Sequence, residues 1–148
     1  MFRGSSFHTI DTKGRIIVPA RFRDTVRSGG NDRIMVSQMD LCLVAYPLEG
    51  WRKIEERIMS MAAKSESMRR FRRVFIGGAH ECAFDRQDRI LIPPALRQYA
   101  GMEKHIVMVG VLDHFEIWSK ANWDEEYQRL EDDMKNEEVR NEVAGLGL

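Results

Sequence analysis

Nine residues, Asp11-Thr12-Lys13-Gly14-Arg15-Ile16-Ile17-Val18-Pro19, return 74 positions later as Asp85-Arg86-Gln87-Asp88-Arg89-Ile90-Leu91-Ile92-Pro93. In each copy an Asp is followed four positions on by an Arg, then by three aliphatic residues and a Pro. The likeness runs further. Arg23 falls on Arg97 at the same spacing, and, with one residue lost from the intervening loop, Ile34–Asp40 lies over Val107–Asp113. Internal repetition constrains a fold more than composition does, because both halves must then be built on one plan. In 148 residues each repeat has about 45, near the lower limit for a self-sufficient core. The halves are therefore expected to share one core as a pseudo-twofold unit, or to pack on other subunits.

The formal net charge is zero, but it is unevenly spread. Residues 1–97 carry 18 Lys and Arg against 11 acids, and residues 98–148 carry 5 against 12, so a positive surplus of seven is balanced by a negative one. Such asymmetry points to a polyanion-binding part beside an acidic tail. Cys42 and Cys82 are the two cysteines, without a CxxC spacing, and both sit in apolar runs. Buried, reduced thiols are expected rather than a disulfide framework or zinc ribbon. The start Met1-Phe2-Arg3-Gly4-Ser5-Ser6 lacks the apolar stretch of a signal peptide, and no run is long enough to span a membrane. A cytoplasmic protein is expected.

Read in order, the chain predicts a strand over Phe7–Ile10, a turn over Asp11–Gly14 and a strand over Arg15–Val18. A short helix follows, with Pro19 at its first position, where a fixed φ and a missing donor cost nothing. Strands over Arg33–Gln38 and Cys42–Tyr46 complete the first repeat, assigned to residues 5–50. Residues 51–78 read as a helical linker. Trp51, Ile54, Ile58 and Met61 recur at helical spacing from Leu48 to about Ala63, and Met68, Phe71 and Phe75 share a face with Arg69, Arg70, Arg72 and Arg73 opposite. The second repeat, 79–122, has strands over Glu81–Phe84, Arg89–Ile92, His105–Val109 and Phe115–Trp118, with a helix over Pro94–Tyr99. Asp88 stands where Gly14 stood, which predicts a distorted second turn carrying an extra negative charge. Residues 123–148 form an acidic helix and tail: Asn122 with Glu125 resembles a capping box, Trp123, Tyr127, Leu130 and Met134 form a stripe, and Ala144–Leu148 read as frayed.

Two Asp-x-x-x-Arg turns each leading into an aliphatic strand and Pro, the start Met1-Phe2-Arg3-Gly4, and Ile117-Trp118 with Trp123 together resemble the MraZ family of bacterial transcriptional regulators. The likeness covers nearly the whole chain. It implies an α+β fold, mainly β with flanking helices, in which two tandem AbrB-like swapped-hairpin repeats make a pseudo-twofold β-barrel. It further implies a homo-oligomeric ring whose turns bind double-stranded DNA at short direct promoter repeats. Repression of a division and cell-wall gene cluster, including the family's own gene, is the expected outcome. Carried over by position, the DNA-binding motif falls on Asp11 and Arg15 and on Asp85 and Arg89.

For Arg15 and Arg89 the residue chemistry admits contact with phosphates or guanine edges, to which a guanidinium presents a planar fork. It equally admits a strut held by the Asp four positions back; the two roles are compatible. Lys13 and Arg86 flank the motif and suit phosphates; Arg3, Arg21, Arg23 and Arg97 rank below them, solvated surface charge being the commoner state of any one of these. The Arg69–Arg73 cluster reads as a solvated face, a phosphate surface or a contact with the acidic tail. Other classes fit less well. An aspartic hydrolase would need Asp11 and Asp85 to share one proton, whereas each has its own Arg. His80 and Cys82, on one side of a strand, lack further ligands for a metal. A non-regulatory oligomeric scaffold using the Trp51, Trp118 and Trp123 faces is the remaining alternative. No cofactor motif or phosphate loop is present, and no enzyme is expected.

Overall fold

The protein, described here from a computed structural model, is defined over residues 1–62 and 64–148. The elements run β1 (Ser5–Thr9), β2 (Arg15–Ile17), α1 (Ala20–Ser28), β3 (Arg33–Met39), β4 (Cys42–Pro47), α2 (Leu48–Ser60) and α3 (Glu66–Gly77). They continue as β5 (His80–Ala83), β6 (Arg89–Leu91), α4 (Pro94–Tyr99), β7 (His105–Gly110), β8 (Phe115–Ser119), α5 (Lys120–Asp133) and α6 (Glu137–Ala144). The expected end of the first linker helix, Ala63, lies outside the described residues.

Strand order is β1-β7-β8-β4-β3-β5 in one antiparallel sheet, with β2 and β6 paired in a separate ribbon. This order is its own mirror if β1, β3 and β4 are exchanged for β5, β7 and β8. The twofold passes between Val44 and Glu116, which face each other where β4 meets β8. Each repeat thus lends its first strand to the other: β1 pairs with β7, and β5 with β3. The α+β class is as read from the sequence, but the sheet does not close into a barrel. β1 and β5 stand at its two ends. β2 and β6 spend their hydrogen-bonding edges on each other, and inward-facing Ile16, Val18, Ile90 and Ile92 fill the space between ribbon and sheet.

The pairing also corrects the register of the repeat. Ser6↔Met108 and His80↔Val36 are equivalent contacts, so Ile34 matches Ile106, not Val107, and the loop has lost two residues. A slip of one residue exchanges the faces of a strand. Alternation could not expose the error, because Ile106 and Val107 are both fully buried, on opposite faces.

The sheet's inner face packs on α1, α4 and the ribbon in one shared core, including Phe22, Ile34, Leu43, Leu96, Ile106 and Phe115. On the outer face, α2 and α3 cover one half through Trp51 and Phe75, and Trp118 and Trp123 cover the other. Helix starts differ from expectation in two places. Pro19 precedes α1 as its cap residue rather than its first position. Ser119, not Asn122, caps α5 by accepting from the Asn122 N–H at 3.1 Å. The Asn122 side chain is used instead to donate to the carbonyls of Leu41 and Ala100, holding a β3–β4 turn in which Asp40 and Leu41 both have positive φ, as a type I′ hairpin requires. The tail forms one more helix than expected, α6, capped by Asn136.

Candidate nucleic-acid interface

Each Asp-x-x-x-Arg segment folds on itself for a local reason. One Asp11 oxygen accepts from the backbone N–H of Lys13 (2.9 Å) and of Arg15 (2.8 Å), and the other accepts from Arg15 Nε at 2.6 Å. Asp85 repeats this with Gln87 N (2.8 Å), Arg89 N (2.9 Å) and Arg89 Nε (2.9 Å). The backbone closures match too: Gly14 N donates to Asp11 O at 3.0 Å and Asp88 N to Asp85 O at 3.1 Å. The second turn is therefore not distorted, contrary to expectation. Asp88 takes a φ of 61° where Gly14 takes 90°, a region Asp tolerates better than most residues. Its carboxylate is engaged by Arg27 at 3.1 Å and Arg23 at 3.5 Å.

These ties set the electrostatics. The Arg15 N–H, its guanidinium and the Lys13 N–H hold the Asp11 carboxyl down at about 2, below its ordinary 3.8. Asp85 is lowered likewise, first by the Arg89 N–H. A dyad sharing a proton needs one carboxyl raised. Here both are depressed, each by its own Arg, and the ribbon register sets the two turns at opposite ends of an antiparallel pair. The hydrolase alternative has no geometry to stand on.

In the ribbon Arg15 pairs with Leu91, Ile16 with Ile90, and Ile17 with Arg89. Ile16 and Ile90 point into the core. The alternate residues, Arg15, Ile17, Arg89 and Leu91, consequently share the outer face, the two Arg on one diagonal and two exposed apolar side chains on the other. The guanidiniums are only partly covered, with side chains 33% and 23% exposed. In each the Nε is tied to its Asp, and among the described residues neither Arg has a partner for its Nη groups. Ile17 and Leu91 were missed from the sequence. Their alternation with the Arg was the available signal, masked by the buried aliphatics between them.

Lys13 and Arg86 are exposed at the turns flanking this face. Arg21 donates to the Arg3 carbonyl and to Ser6, joining the N-terminal segment. Arg23 and Arg97 are drawn inward and across: Arg23 bonds the Val18 carbonyl and meets Asp88 of the other repeat, while Arg97 lies against Gly14. Arg70 pairs with Glu66, and the other basic residues of α3 are exposed. His80 is exposed, whereas Cys82 is buried with its thiol toward the Leu91 carbonyl, pushed up to about 11 by burial and then by Glu81. Among the described residues, no three His, Cys, Asp or Glu are grouped to hold a metal, and no helix is long and apolar enough to cross a membrane.

The family model described as "MraZ protein, putative antitoxin-like" matches residues 1–74 and again 75–143. The chain is 60% identical over 148 residues to a protein of Desulforapulum autotrophicum, and 52% identical to one of Desulfosudis oleivorans, covering all of both partners in each case. A protein of Moorella thermoacetica is 45% identical over 134 residues, 90% of this chain and 91% of its own. All three bear the name transcriptional regulator MraZ.

Proposed function

Because the chain belongs to the MraZ family, we propose that it is a DNA-binding transcriptional regulator, not an enzyme, with the outer face of the β2–β6 ribbon as its contact element. The observation that carries this reading is the pair of Arg on that face, each aimed by its own Asp and each without a partner for its Nη donors among the described residues. A two-stranded ribbon fits the major groove. There an Arg fork matches the O6 and N7 of guanine, and apolar side chains such as Ile17 and Leu91 match thymine methyls. Lys13 and Arg86 would take phosphates, adding affinity without sequence information.

The finer reading is a repressor at short direct repeats ahead of a division and cell-wall gene cluster and its own gene, acting as a ring in the cytoplasm. Support for assembly comes from an inequality between the halves. On α2 the stripe of Ile54 and Ile58 is covered by α3, whereas on α5 Tyr127 and Leu130 remain 60% and 58% exposed. The occupant we assign to that surface is the basic α3 of a second copy, whose charge complements the acidic α5–α6 region. Such a contact joins unlike surfaces and closes into a ring when the rotation permits. Linked ribbons would then read repeated half-sites together.

The test is gel retention of the duplex upstream of the protein's own gene, with assembly followed by light scattering. Arg15→Ala should lose a contact of about 1–3 kcal/mol in every subunit, abolishing retention while the assembly keeps its mass. Retention equal to that of the unaltered protein would remove the ribbon from the mechanism. Affinity should fall linearly with log salt concentration as counterions are released, and an affinity indifferent to salt would count equally against it.

A further inference from the structure

The two turns are alike in backbone but unlike in the charges around them. Ile10 N donates to Lys104 O at 2.9 Å where Phe84 N donates to Asp32 O at 3.2 Å, so Lys104 occupies the place of Asp32. Gly14 occupies that of Asp88, Arg97 that of Arg23, and Gly101 that of Arg27. Around the second turn two cations meet two acids in one network: Arg23 and Arg27 contact Asp88, and Arg27 contacts Asp32 at 2.8 Å. Around the first turn, both of those acids are missing.

Arg97 shows the effect. A Cβ on Gly14 would lie 2.8 Å from its Cζ and Nε, so the guanidinium stacks on the turn only because position 14 has no side chain. The Nε of Arg23 and of Arg97 are both buried without a partner, but Arg23 is served through its other nitrogens by Val18 O and Asp88. Arg97 has no such partner among the described residues. It lines an open cleft with Asp11, Thr12, Met102, Glu103 and Lys104. Asp11 is already neutralised by Arg15, and Glu103 offsets one of the two cations, leaving one positive charge over.

We propose that Arg97 and Lys104 form a binding site for one phosphodiester of the duplex backbone, and that the second turn lacks this site because Asp88 already fills the corresponding place on Arg23. The proposal rests on the DNA-binding reading above. It makes the repeats unequal: the first turn anchors on the backbone, while the second contributes through Arg89 and Arg86 alone. Asp88 acts as a resident anion, and neutralising it releases Arg23 for a second phosphate.

The experiment is fluorescence anisotropy of the full chain with two labelled duplexes, the DNA upstream of its own gene and a scrambled duplex of equal length, across a salt series. A backbone contact carries no sequence information, so Lys104→Gln and Arg97→Gln should each weaken both duplexes several-fold and lower the salt slope by about one. Asp88→Asn, which keeps a residue tolerant of positive φ, should strengthen both several-fold and raise the slope by about one. Lys104 is exposed, so its variant folds whether or not the Arg97 one does. Unchanged affinity and slope in Lys104→Gln and Asp88→Asn, with Arg15→Ala still abolishing binding, would overturn the phosphate site and leave the ribbon reading intact. Failure of the unaltered protein to bind either duplex would overturn both.

Discussion

Asp11 and Asp85 show how much one side chain can settle. Each satisfies two backbone N–H groups and one guanidinium, so each turn is closed on itself by its own carboxylate. Because both are lowered from their ordinary value, the unfolded chain binds protons more readily than the folded one, and stability rises with pH through their titration. Their contribution is complete above the ordinary carboxylate range, about 4, and is lost as pH falls toward the folded value of about 2 at Asp11. Thermal melts should therefore show no loss from these groups between pH 7 and 5 and a progressive one below pH 4. The double substitution Asp11→Asn and Asp85→Asn should flatten that acid limb. An unaltered limb would mean that other carboxylates dominate it. The tie from each Asp to its Arg was legible in the sequence, since it spans four residues; the regular shape of the second turn was not, because Asp88 is held by Arg23 and Arg27 from the other repeat.

Among the elements, β7 carries the tightest constraint. A Cβ on Gly110 would fall 2.3 Å from Arg3 N and 2.5 Å from Phe2 C, because the N-terminal segment crosses there, bonded Gly110 N to Gly4 O and Phe2 N to Leu112 O. That crossing sets Phe2 against Phe22 and Phe115 in the core, with centroids 5.5 and 5.4 Å away. Gly110→Ala should destabilise by roughly 1–3 kcal/mol, as over-packing against backbone does, and release the N-terminus to early proteolysis; a melting temperature unchanged within error would refute the contact. At the start of α5, Ser119→Ala should cost about 1 kcal/mol, measured by denaturant midpoint. Asn122→Ala should act instead on the Leu41 turn that its side chain holds. The letters Asn122 and Glu125 imitate a capping box, and only the path of β8 into the helix shows that Ser119 reaches the orphan N–H groups first.

For the whole molecule the decisive fact is strand exchange. β1 has its ladder with β7, and β3 has one of its two with β5, so the first repeat cut free of the second leaves those edges and the inner faces of Ile16 and Ile34 bare. A fragment of residues 1–74 should be unfolded as a monomer and gain β-sheet ellipticity only as concentration rises or when residues 75–148 are added. Sedimentation showing a folded monomer at every concentration would overturn this. Repetition implied a shared core; it did not imply which strands cross over, or that the ribbon would separate from the sheet. Those are pairings between residues about 45–105 positions apart, decided by competition for hydrogen-bonding edges.

What the sequence determined alone is whatever lies within a few residues: the two self-closing turns, the aliphatic strands after them, and the amphipathic stripes of α2 and α3. Only the tertiary structure decided the register of β7, the open sheet in place of a barrel, and the outward face on which Arg15 and Arg89 meet Ile17 and Leu91. The division is physical. Turns and helices are fixed by bonds within one stretch of chain, whereas register and facing depend on which distant edge a strand finds. In a sheet buried on both sides, hydrophobic alternation no longer says which way a side chain points.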